Sequence, residues 1–267
     1  MHFQFSFTAV QILWTLTLAA LLVLLTVLVG RDRARHFPFF TASIALVAIR
    51  LMADRLLYGH IAQIPMSLVF FTLADLAVLL ELLVLVEVAR RAFRGASRSA
   101  TAVTAVTLLA VAAGVIAAWG PWPAWKTITV STVLARVRLM QLISHQGDTF
   151  CAVLAIELGI LVVFFGRRFG AGWRSHVQRI AIGLSAAAIG ALATRALLQA
   201  IFSHVTFQSQ QQVNRLMGLQ SHLSQANSAI YFGVLVWWIA CLWMDEPDKP
   251  ASAESRASEP ATLNLST

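Results

Sequence analysis

Arg50, Asp75, Glu157 and Arg195 each interrupt a long apolar stretch, and each lies seven to nine residues from the same predicted membrane boundary. At ~1.5 Å rise per residue, all four reach a depth of roughly 12 Å. A charge in hydrocarbon is costly unless it is paired, so two cations and two anions at one level form either a clamp between helices or a site for a charged ligand or ion. Arg50 with Asp75 and Arg195 with Glu157 is one pairing. Asp54, one turn from Arg50, offers a local alternative.

A second set is richer in histidine. His145, Asp148, His204 and His222 all fall on the same predicted outer face and are the candidate metal ligands. A metal needs three or four such groups to converge at about 2 Å. The plainer alternative is a scatter of interfacial histidines. Haem is not expected, because His36, His60, His176 and His204 fall at helix ends rather than within helices.

Enzymatic signatures are missing. The chain has no HExxH and no glycine-rich phosphate loop, and Gly183-Leu184-Ser185-Ala186-Ala187 lacks the second glycine of a nucleophile elbow. Neither an enzymatic activity nor a cofactor is therefore expected.

The elements that must position these residues follow from composition. Of 267 residues, 58% are hydrophobic and 12% charged, about half the charge of an ordinary soluble domain. A span needs about 20 apolar residues. Seven stretches qualify: 9–30, 39–58, 66–89, 100–119, 149–166, 180–202 and 229–244. The expected fold is an all-α polytopic membrane protein, a seven-transmembrane-helix bundle over residues 1–244 with a disordered tail at 245–267. In span three, Asp75, Glu81 and Glu87 point about 120° apart, so if all three avoid lipid that helix must be surrounded by neighbours as the central helix of the bundle.

Arginines set the expected orientation. Arg31, Arg33 and Arg35, then Arg90, Arg91, Arg94 and Arg98, then Arg167, Arg168, Arg174 and Arg179 follow the first, third and fifth spans. By the positive-inside rule these loops are cytoplasmic, with the N-terminus outside and the C-terminus inside. This distribution accounts for the net charge of +8 without a nucleic-acid partner. The first stretch lacks a basic leader and should remain as a span rather than be cleaved. Cys151 and Cys241 belong to opposite ends of the bundle and should not form a disulfide.

Two outer connections are substantial. Residues 126–146 have a partly amphipathic helical pattern, residues 205–228 are Gln-rich with helical spacing, and together they are expected to form a cap. The topology resembles that of rhodopsins, G-protein-coupled receptors and the membrane halves of seven-helix bacterial sensors. The motifs depart from them: span three ends Glu87-Val88-Ala89-Arg90, and span seven has neither a lysine nor an Asn-Pro-x-x-Tyr turn.

The expected function is non-enzymatic and receptor- or sensor-like. The protein would sit in a bilayer, as a multi-pass protein of the bacterial cytoplasmic membrane. It would bind a small charged ligand in its outer half and relay to a cytosolic or membrane protein partner. One alternative is a small transporter or channel subunit using Arg50, Asp54, Asp75, Glu157 and Arg195, and another is an accessory subunit held together by those charges.

Overall fold

The computed structural model describes residues 9–57, 60, 62–94, 97–119, 132–165, 175–203 and 210–245, and the expected tail and His204 lie outside them. The described residues form eight helices: α1 (Ala9–Gly30), α2 (Arg33–His36), α3 (Pro38–Leu57), α4 (Gln63–Ala92), α5 (Arg98–Trp119), α6 (Val133–Phe165), α7 (His176–Ser203) and α8 (Gln210–Trp243). Six of them, α1 and α4 to α8, are long and apolar enough to cross a membrane. The expected second span corresponds to α3, which is 20 residues long but carries Arg50, Asp54 and Arg55 in its second half. The chain is thus all-helical, with the composition of a multi-pass membrane protein.

Local chemistry explains how these helices tolerate their polar residues. Thr17, Thr26, Thr72 and Thr107 each donate a hydroxyl hydrogen bond to the carbonyl four residues earlier, at 2.7–2.9 Å. No partner from another helix is needed, which suits a medium without water. Asp32 takes a left-handed conformation, φ 54°, in the turn after α1. Pro38 then occupies the first position of α3, where its missing N–H costs nothing.

Six helices close a ring in the order α1, α3, α4, α6, α7, α8 and back to α1, with α4 also touching α7 and α5 packed on α6 from outside. The ring is filled near the end where α1 and α8 finish. Leu21, Leu24, Leu28, Leu235 and Leu242 are fully enclosed there, and Phe40 meets Trp238 edge to face at 5.0 Å. Apolar side chains also cover the outside: Leu76, Leu79, Leu83 and Val86 form an exposed stripe along α4, and Val103, Val106 and Leu109 are exposed on α5. α4 therefore has neighbours on three sides and a fourth, apolar side facing outward.

Two expectations about the connections are corrected. The segment 126–146 is not separate from the span at 149–166, because α6 runs unbroken over 33 residues from Val133. Likewise α8 runs over 34 residues and absorbs most of the Gln-rich connection into the last span. Each helix is about 50 Å long, so roughly 20 Å exceeds the ~30 Å hydrocarbon layer. Instead of a cap of loops, the structure has two rigid helical extensions.

Candidate functional site

The polar run Ser144-His145-Gln146-Gly147-Asp148-Thr149 reads as a break between elements, yet it lies within α6. Helical continuity here is supported from two sides. Towards α4, Gly147 gives the room needed for close approach: a Cβ at that position would lie 2.6 Å from Val78 Cγ1. One turn on, Cys151 Sγ reaches the Val78 carbonyl at 3.7 Å. Towards α7, the Arg195 guanidinium grips consecutive residues, with Nη2 3.0 Å from Asp148 Oδ2 and Nη1 donating to Thr149 Oγ1 at 3.1 Å. A charge-assisted pair reinforced by a second hydrogen bond holds α6 and α7 in register.

Further polar groups gather around this pair. Glu81 projects from α4 into electrostatic range of Asp148, Arg195 and Tyr231. Asp75 faces Ser144 and Asp148 across the α4–α6 contact. Asp75 and Ser144 lie within hydrogen-bonding reach of each other there, and Gln146 Nε2 is buried without a hydrogen-bond partner among the described residues. Buried polar atoms are normally paired, so Gln146 marks a place where a further hydrogen bond can be made. Beside it is a cavity of about 420 Å³ between α3, α4 and α6, lined by Arg50, Phe70, Phe71, Ala74, Gln141, Ser144, His145 and Asp148.

The four-charge layer is rearranged relative to expectation. Arg195 pairs with Asp148 and not with Glu157. Arg50 is exposed on α3 and forms no ion pair with Asp75, Asp54 or any other described residue. Glu157 lies nine residues beyond Asp148, about 13 Å along α6. Both its carboxylate oxygens are buried without a hydrogen-bond partner among the described residues. For Glu157 the difference has one cause: depth was counted from Thr149 as a helix start, whereas α6 starts at Val133.

The described members of the metal set, His145, Asp148 and His222, do not converge. His145 and Asp148 share the cavity, His222 is exposed on α8, which α7 separates from α6, and His204 lies outside the described residues. Among the described residues no three His, Cys, Asp or Glu side chains converge as metal ligands. Gln141, Ser144 and Glu81 belong to the cluster without having been singled out as site residues. Of these only Glu81 had a signal, as an acid inside an apolar span.

At the other end, which carries the arginines after α1 and α4, much of the charge is engaged within the chain. Arg31 and Arg33 lie 3.4 and 3.0 Å from Asp245, just past α8. Arg31 also stacks on Trp243 at 5.1 Å, and Arg179 donates to the Cys241 carbonyl at 2.7 Å, closing the end of α8. Glu87 accepts the Phe40 N–H at 3.2 Å and so satisfies the start of α3. Arg91 stands 3.7 Å from Glu87 and 4.6 Å over the Phe37 ring. Compared with protein-family models, with curated proteins and with solved structures, the chain has no significant match.

Proposed function

We propose that the chain is a non-enzymatic, seven-span membrane protein of receptor or sensor type, with α3 as the additional span, the N-terminus outside and the C-terminus inside. Its ligand is a small charged or zwitterionic molecule held in the cavity between α3, α4 and α6. The reading rests on one observation: a guanidinium, an imidazole and a carboxylate, from Arg50, His145 and Asp148, line a single cavity. A concave site with a few converging polar groups on an otherwise apolar wall suits a small ligand. Arg50, free of an ion pair among the described residues, serves the ligand's anionic group. Asp148, already oriented by Arg195, faces its cationic group.

The packed layer of Phe40 and Trp238 favours this reading over a transporter, which needs a second route from the cluster to the basic end. At that end Arg35, Arg90 and Arg94 remain exposed, and they supply the contact surface for a separate partner protein. The test is a thermal-stability screen of purified protein against amino acids, betaines and dicarboxylates. A stabilising compound should lose its effect in Arg50→Leu and in His145→Leu, both of which change exposed side chains. Stabilisation that survives both substitutions would move the ligand elsewhere, and a screen without a hit would remove the support for a receptor.

A further inference from the structure

A second and larger cavity, of about 580 Å³, lies between α1, α3 and the protruding half of α8. Its two walls differ in chemistry. The α8 wall presents Gln220, Ser224, Asn227 and Tyr231 at helical spacing, with further serine and glutamine between them. The opposite wall is apolar, built from Leu13, Trp14, Val47 and Leu51. Among the described residues, no Asp, Glu, Lys, Arg or His lines the space.

Gln220, Ser221 and Ser224 are exposed at the open end of this wall, and Asn227 and Tyr231 are half-buried at its deep end, where a helix facing its neighbours ordinarily turns an apolar stripe. Part of the polar stripe satisfies itself: Gln225 Nε2 donates to Ser221 Oγ at 3.2 Å and Ser228 Oγ to the Ser224 carbonyl at 3.0 Å. The Gln220, Asn227 and Tyr231 side chains have no such bond among the described residues. From Gln220 to Tyr231 is eleven residues, a ladder about 16 Å long. Tyr231 and Asn227 lie 12 and 16 residues from Trp243, or roughly 18–24 Å, so the ladder rises from within the hydrocarbon layer into its headgroup boundary.

We propose that this cleft binds the headgroup of an uncharged glycolipid. Neutrality follows from the lining, because a charged headgroup would be desolvated without a counter-charge. The length of the ladder calls for hydroxyls spread over successive rings, which a quinone with its carbonyls on one ring does not have. Sugar hydroxyls meet Gln220, Asn227 and Tyr231, a ring face rests on Trp14, and the acyl chain leaves at the deep end of the cleft, past Val47 and Leu51. The cleft shares no lining residue with the charged cavity and does not depend on how that one is read, although Tyr231 at its deep end stands in electrostatic range of Glu81.

The probe is dodecyl maltoside, added to full-length protein held in a polyoxyethylene detergent, with retained adducts counted by native mass spectrometry. One maltoside should be retained, while dodecyl phosphocholine and decyl quinone should not. Free maltose should bind at least about tenfold more weakly, which separates a lipid from a free saccharide. Gln220→Leu combined with Asn227→Leu removes two neutral hydrogen bonds and should weaken retention by about tenfold, with helix content unchanged by circular dichroism. Should that variant fail to fold, Ser224→Trp, which places an indole in the cleft from an exposed position, should block retention. Equal retention of phosphocholine or quinone, or variants that keep the maltoside, would overturn the proposal, and equal binding of free maltose would overturn its lipid part.

Discussion

Replacing Arg195 with leucine should destabilise the protein more than replacing Asp148, and the two losses should not add. Two limits bracket the size of the effect. An exposed ion pair is worth roughly 0.2–1 kcal/mol, and removing one partner of a fully buried pair costs about 3–5 kcal/mol. The side chains of Arg195 and Asp148 are 33% and 38% exposed, which sets the pair between those limits, near the lower one. Arg195→Leu also removes the hydrogen bond to Thr149 and leaves Asp148 facing Glu81 and Asp75 uncompensated. That raises its cost to about 2 kcal/mol. Asp148→Leu leaves Arg195 with Thr149 and Glu81 and relieves repulsion among the acids, so its cost is about 1 kcal/mol. The double variant should stay near 2 kcal/mol rather than reach 3, a coupling of about 1 kcal/mol. At roughly 2–4 °C per kcal/mol for a chain approaching this size, Arg195→Leu lowers the melting temperature by about 4–8 °C. The assay is a thermal unfolding cycle of the four proteins in one detergent at one salt concentration. Additive losses, or a larger loss for Asp148→Leu, would refute the pair as the link between α6 and α7.

Two further outcomes are expected. Gly183→Ala would drive a Cβ into the indole of Trp238, which is 2% exposed and wedged against Phe40. It should cost about 1–3 kcal/mol, whereas Gly114→Ala, where a Cβ meets nothing within 4 Å, should be neutral or slightly stabilising in the same melting assay. For orientation, a reporter active only in the cytoplasm should work when fused after Met244, and one that requires export should work within 205–228. Reversed activities would turn the proposed topology over.

Particular residues show how far the sequence was legible. Runs such as Ala9–Gly30 announce themselves, because a continuous apolar stretch of span length has few other uses. The spacing of Asp75, Glu81 and Glu87 read correctly only in part: the three acids face α6, the ring interior with α7 and α8, and the start of α3 respectively, but α4 is a member of the ring with an exposed apolar side and not its central helix. Helix ends were not legible where polar residues continue a helix. Ser144 to Thr149 resemble a loop by composition. They stay helical because Gly147 admits α4 and Arg195 neutralises Asp148, and both reasons lie on other helices. The Arg195 pairing was missed for the same reason, since an error in the start of α6 carries through to every depth counted from it. The cavity between α1, α3 and α8 left a trace only as a Gln- and Ser-rich stretch, and what makes it a cavity is the apolar wall provided by α1 and α3.

The ring closes between its first and last helices, and the salt bridges that fasten them, Arg31 and Arg33 with Asp245, join residues 214 and 212 positions apart. α1 is made before α8, and its packing in the ring is complete only when α8 arrives. Closing so distant a contact comes late and slowly, because the entropy of the intervening chain is lost before the contact repays it. Until α8 arrives, Leu21, Leu24 and Leu28 lack part of the packing that encloses them. The order of synthesis thus runs against the order of packing, because the contacts that enclose α1 are completed by the last helix of the ring.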